Sequence, residues 1–243
     1  MRRWVLLLAT AVTALAAPAD ARPAMNWSGF RAGAIVTLAF GGHTDTHTGL
    51  PAGPASTGDY SIAHGTDGWQ AGATGGYFWQ QGPMVEGIEG DIEFGNAGGI
   101  KTLTGVAHRD GSGASPDNIL IFHEHTDTMV GLRGTFGYAA SRHFLPYFTA
   151  GWMYLHGKYG GDFHDAVTPA DYIASDGTGR SGWTIGGGLA CQFRPGWEVK
   201  AEYLYYDVGH HTALSTVAGG LQSQFDFGGT GSLMRLALTV KVP

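Results

Sequence analysis

The chain predicts an all-β fold, an eight-stranded antiparallel up-and-down barrel that crosses a membrane, and three observations carry that expectation. The first is the stretch Trp183 to Tyr206, which reads as two alternating strands joined by the turn Arg194-Pro195-Gly196. Its first arm sets Trp183, Ile185, Leu189, Cys191 and Phe193 against Thr184, Gly186, Gly188, Ala190 and Gln192, following the two-residue period of a strand. Its second arm sets Trp197, Val199, Ala201, Tyr203 and Tyr205 against Glu198, Lys200 and Glu202. The second observation is strand length. Ten residues extend roughly 33 Å, and a tilt near ~40° reduces this to a height of about 25 Å, the apolar band of an outer-membrane barrel. The third is the alternation of connections: long segments at 41–68, 96–127, 157–182 and 207–232 take turns with short ones at 80–84, 139–145 and 194–196. Short periplasmic turns and longer external loops produce that order.

Eight segments carry the pattern: Phe30 to Phe40, Trp69 to Trp79, Val85 to Gly95, Thr128 to Tyr138, Pro146 to His156, Trp183 to Phe193, Trp197 to Tyr206 and Leu233 to Val240. In the first, Phe30, Ala32, Ala34, Val36, Leu38 and Phe40 face lipid, with Arg31, Gly33 and Thr37 inward. In the third, Ile88, Ile92 and Phe94 oppose Glu89, Asp91 and Glu93; in the fourth, Val130, Leu132, Phe136 and Tyr138 oppose Arg133 and Thr135. In the last, Met234, Leu236, Leu238 and Val240 oppose Arg235 and Thr239. The fifth segment is apolar on both faces, so its orientation stays open. Trp69, Trp79, Trp183, Trp197, Tyr203 and Tyr205 fall at strand ends, as an interfacial aromatic belt requires.

The first 21 residues read as a cleaved signal peptide: Arg2 and Arg3 precede an apolar run from Trp4 to about Ala17, and Ala19-Asp20-Ala21 fits small-residue cleavage. Residues 22–243 then form one barrel domain. Downstream of that segment no apolar run reaches the roughly 18 to 20 residues of a membrane-spanning helix, so any crossing is made by strands. Glycine, 41 of 243 residues, recurs inside strand-like segments, where it suits bending and close approach. The single cysteine, Cys191, excludes an intramolecular disulfide. A net charge of -6 without a basic run argues against a nucleic-acid partner.

The face assignments gather Glu89, Asp91, Glu93, Glu198 and Glu202 with Arg31, Arg133, Lys200 and Arg235 in one narrow lumen. Unpaired charges there are costly, so a network of ion pairs is expected. An eight-stranded barrel has an interior just wide enough for side chains to fill, which favours a plugged core over an ion pathway and leaves at most a narrow conductance. Acid-base catalysis by these carboxylates is outweighed by their mutual neutralisation. A lipid A deacylase site built on His210, His211 and Ser215 lacks an orienting motif. No catalytic residue and no cofactor are assigned, and no enzymatic role is expected.

Nine of the eleven histidines, His43, His47, His64, His108, His123, His125, His164, His210 and His211, fall in the predicted external loops. Two clusters, His43 and His47 with Asp45, and His123 and His125 with Asp127, have the i, i+2 spacing that places side chains on one face of an extended chain. Imidazole with carboxylate suits a transition metal ion, and imidazole suits haem iron. The competing reading is a polar surface whose charge changes near neutral pH. The expected partners are outer-membrane lipids, with small ions, a metal or haem at the loops and a homo-oligomer as further alternatives.

The stretches NWSGFRAGA, VEGIEGDIEF, VGLRGTFGY, LPYFTAGWMY, GWTIGGGLACQF and WEVKAEYLYYDVG together resemble the small porin-like outer-membrane proteins of Gram-negative bacteria, which share the OmpA-like eight-stranded transmembrane barrel. The resemblance runs in family order across nearly the whole chain after the targeting segment and leaves the four long connections unmatched. It implies an integral outer-membrane protein, surface-exposed, with a structural or adhesive role. It also implies a terminal aromatic residue, where this chain reads Val240-Lys241-Val242-Pro243.

Overall fold

A computed structural model of the chain describes residues 26–50, 60–65, 67–106, 115–166, 170–216 and 222–242; the targeting segment lies outside them. Eight strands close into an antiparallel barrel: β1 (Gly29–Phe40), β4 (Asp67–Gln81), β5 (Met84–Thr104), β6 (Ile119–Tyr138), β7 (Phe144–Asp165), β8 (Ala170–Arg194), β9 (Trp197–Asp207) and β12 (Thr230–Val242). Sequence neighbours pair throughout, and the first and last strands close the ring in a register running from Phe30 opposite Val242 to Phe40 opposite Ser232. Closure leaves no free edge in the membrane, where an unpaired backbone group costs several kcal/mol. At the short-turn end, Gly82 (φ 60°) and Gly196 (φ 79°) adopt the left-handed conformation those turns demand.

The lipid-facing assignments hold around the wall. Phe30, Val36, Leu38, Ile88, Ile92, Phe94, Leu132, Phe136, Met234, Leu236 and Leu238 are exposed on the outer face, while Arg31, Glu89, Asp91, Glu93, Arg133 and Arg235 are buried. Cys191 is a free thiol, half-buried on the outer side of β8. The strand left open is settled by its neighbours: β7 turns Leu145, Tyr147, Thr149, Met153 and Leu155 inward and Phe144, Phe148 and Trp152 outward.

The long connections differ from expectation. They are largely strand. Four barrel strands, β5, β6, β7 and β8, run for 21, 20, 22 and 25 residues, far past the segments 85–95, 128–138, 146–156 and 183–193. Segments 41–68 and 207–232 supply a second, four-stranded sheet in the order β10 (His211–Thr216), β11 (Gln222–Phe227), β2 (Gly42–Leu50), β3 (Tyr60–Gly65). That sheet packs on the raised wall. Val106, together with Leu120 and Phe122 of β6, Tyr159 and Phe163 of β7, Ala213 of β10 and Phe225 and Phe227 of β11, forms one buried apolar cluster, with Leu103 of β5 at its margin. A glycine makes the docking possible, since a methyl group at Gly161 would collide with the Phe225 ring.

The transition between the two parts is marked in β6. Thr126 pairs with Gly157 and Thr128 with His156, so Asp127 is an extra residue, a β-bulge. Below it, Thr128 to Tyr138 is the membrane-spanning part with even-numbered residues outward; above it, His123 and His125 point outward and Leu120, Phe122 and Glu124 inward.

Candidate functional site

The lumen brings all nine predicted charges together in the middle of the barrel. Arg31 pairs with Glu198 and Lys200 with Glu89, each pair buried. Arg133 reaches Asp91 at 2.8 Å, Glu89 at 3.2 Å and Glu202 at 3.7 Å. Arg235 reaches Glu93 at 2.8 Å, Asp91 at 2.9 Å and Glu202 at 3.6 Å. Two strands pointing carboxylates inward, β5 and β9, are thus stitched to β1, β6 and β12 across the lumen. Five acids meet four bases, and Tyr147, whose hydroxyl donates to Glu202 at 2.7 Å, adds a neutral donor for the surplus carboxylate.

Two participants escaped the sequence reading. Trp27 is 1% exposed, and the Arg31 guanidinium lies over its ring at 5.3 Å and over Phe78 at 5.8 Å. The Trp27 backbone amide donates to Gln80 Oε1 at 2.8 Å, and its carbonyl accepts from Arg31 at 3.2 Å, tying the chain entry under the barrel. Tyr147 was hidden by the two-faced apolarity of its strand. The useful signal for Trp27 was its position four residues before Arg31, on the inward side of the entering chain.

Apolar layers close the charge network above and below. Trp27, Phe78, Val85, Leu145, Tyr147 and Ala190 fill the short-turn end. Met129, Met153, Leu155, Leu204, Tyr206 and Leu233 lie toward the other end. A cavity of about 10 Å³ beside Arg31, Glu89, Glu198 and Lys200 is the size of a single water.

The aromatic residues Trp69, Trp79, Trp183, Trp197, Tyr203 and Tyr205 all stand outward on the wall. Trp79 and Trp197 mark the short-turn end, with Tyr77 beside Trp79 at 4.9 Å and Phe193 beside Trp197 at 6.5 Å. Trp69, Trp183, Tyr203 and Tyr205 stand toward the opposite rim, where Trp183 meets Tyr205 at 5.6 Å and Trp152 stacks on Tyr154 at 6.2 Å.

The two histidine clusters are not brought together. Asp45 and His47 are buried in the upper core, where His47 lies against Phe163 at 5.2 Å and Phe225 at 4.9 Å, and Asp45 accepts from the Gly228 amide at 3.2 Å. The side chain of His43 lies outside the described ones, its backbone pairing with His64 in the second sheet. His123, His125 and Asp127 share the outer surface of β6, so the wall separates them from His47. Among the described residues no group of three His, Cys, Asp or Glu side chains is placed to hold a metal ion. What forms instead is a smaller arrangement. Asp127 accepts from His156 Nδ1 at 3.0 Å, which holds its carboxyl below the usual range, and His125 meets Asn96 at 2.9 Å. Both pairs sit just above the outer aromatic rim.

Inside that rim, Arg180 lies over the Tyr159 ring at 4.2 Å and donates to the carbonyls of Gly228 at 2.9 Å and Phe227 at 3.4 Å, fastening the second sheet to β8. Burial pushes the Tyr159 phenol up, against the opposing pull of Arg180.

A closed eight-stranded barrel with an apolar outer band, aromatic rims and a charge-filled lumen defines an integral membrane protein of the outer-membrane type. A family model described as outer membrane protein beta-barrel domain matches residues 5–229, and the chain belongs to that family. It is 28% identical over 165 residues to the 31 kDa outer-membrane immunogenic protein of Brucella melitensis biotype 1, an alignment covering 66% of this chain and 62% of that relative. The same figures hold for the protein of that name from Brucella suis biovar 1. The chain thus spans less than two thirds of the length of these relatives. Among solved structures, the outer membrane protein OprG from Pseudomonas aeruginosa shares the fold, with a TM-score of 0.57 at 11% identity over 90% of this chain and 98% of that one. The protein resides in the outer membrane of the Gram-negative envelope.

Proposed function

We propose that this is a non-enzymatic envelope barrel whose lumen is a structural plug and whose raised, capped end is the surface that meets the cell exterior. The supporting observation is the stack of three filled layers, apolar, charged and apolar, along the barrel axis. Ions crossing it would have to separate several buried pairs at once. The immunogenic designation of the Brucella relatives agrees with an exposed outer surface. The test is conductance of the refolded protein in a planar bilayer, with heat-modifiable gel migration confirming insertion. A folded band without steady current is expected; reproducible current of one unit size would overturn the plug and make Glu89, Asp91, Arg133, Lys200 and Arg235 candidates for selectivity.

A second reading, capture of a metal ion or haem by external histidines, is supported by the Asp127–His156 pair alone, with no third ligand placed beside it among the described residues. Zinc or haem titration of the folded protein beside a His125→Ala/His156→Ala variant tests it, and equal affinities would remove it.

A further inference from the structure

The outer wall of the barrel is not uniformly convex. Across four adjacent strands, β1, β12, β9 and β8, two rows of outward residues lie in register: Val36, Leu236, Ala201 and Leu189 in one, and Leu38, Met234, Tyr203 and Gly187 in the other. Each row carries a small residue where its neighbours are large. Ala201 and Gly187 therefore form a sunken floor, and the surrounding side chains wall a groove of about 840 Å³ within the membrane-spanning band. That volume lies in the range of about 300–1,000 Å³ typical of sites that hold small ligands. Its long side is not closed. At its external end the Tyr203 and Ser232 hydroxyls meet at 2.9 Å, the one polar pair of side chains described on this lip.

We propose that this groove seats one acyl chain of the surrounding lipid, held more firmly than the lipids around the rest of the wall. A hollow in hydrocarbon does not stay empty, because its lining would forfeit dispersion contacts on one side. The occupant must be apolar along the floor and polar at one end, beside the hydroxyl pair; a lipid chain with its ester or amide at the outer interface has that distribution. A second copy fits less well. In a two-fold interface a ridge of one copy would have to enter the groove of the other and be matched in return, which demands a self-complementary wall. A flexible single chain has no such constraint.

The probe is a phospholipid carrying a diazirine midway along one acyl chain, incorporated in vesicles with the folded protein and activated by light. Adducts should concentrate on peptides from β8, β9 and β12 and fall several-fold in Ala201→Phe, which fills the floor. They should be unchanged in Gly134→Leu, an outward substitution on β6 on the opposite side of the ring. Heat-modifiable migration shows that each variant has folded. If Ala201→Phe does not fold, Tyr203→Phe, which removes the polar end and keeps the ring, should lower labelling in its place. Adducts spread evenly around the wall, or labelling indifferent to both substitutions, would overturn the proposal. So would efficient joining of two chains through Cys191, the single thiol on the same wall, with these peptides protected from the lipid probe, which would assign the groove to a second copy.

Discussion

The two interiors of this molecule are built on opposite rules. Within the membrane the lumen holds nine charged side chains and the outer wall is apolar; above the membrane the same strands turn Leu120, Phe122, Tyr159 and Phe163 inward and His123, His125, Lys158 and His164 outward. The solvent outside the wall sets the difference. Lipid rewards an apolar exterior and offers nothing for a polar one, so the polar groups of the spanning section collect inside and must neutralise one another. Once the strands emerge into water, the ordinary hydrophobic drive resumes and fills the interior with aromatics. The bulge at Asp127 performs the exchange in β6, because one extra residue flips every subsequent side chain to the other face.

The largest expected effect falls on the charged interior. Arg133→Ala leaves Asp91, Glu89 and Glu202 without one of their cations and should cost about 3–5 kcal/mol, read as a lower urea midpoint for the heat-modifiable band. An unchanged midpoint would mean that water reaches these carboxylates. Phe225→Ala probes the upper core without touching register. It should destabilise the second sheet by about 3 kcal/mol, seen as faster amide exchange in β10 and β11, with the barrel's own unfolding unmoved.

The smallest effect belongs to the pair at the boundary. Hydrogen bonding to His156 lowers the Asp127 pKa in the folded state, so the stabilisation is fully present above its ordinary value of 3.8 and is lost as pH falls through the lower folded value. Both side chains are partly exposed, and Asp127→Asn should therefore cost less than about 1 kcal/mol at pH 7, with the variant and parent converging in strong acid. A large difference at neutral pH would indicate that the bulge depends on the charge itself.

The spanning barrel was legible because lipid imposes a regular penalty on every misplaced residue. Strict alternation such as Glu198-Val199-Lys200-Ala201-Glu202-Tyr203 leaves one solution, and strand length and turn spacing follow from the thickness of the bilayer. Those same residues named the nine charges of the lumen, although not which carboxylate each cation would meet. The raised wall was not legible, for the same reason that it exists. At the bulge the alternation changes phase and polarity together, so Ile119 to Thr126 continues as strand while its pattern no longer matches the segment below it. His47 looked like a loop ligand because its burial depends on Phe163 and Phe225, more than a hundred residues away in sequence. Local periodicity against a uniform solvent therefore settled the barrel, its faces and its lumen charges. The cap, the placement of Trp27 and Tyr147, and the groove at Gly187 and Ala201 arose from contacts between distant strands, where the deciding energy is shape and burial that no single segment contains.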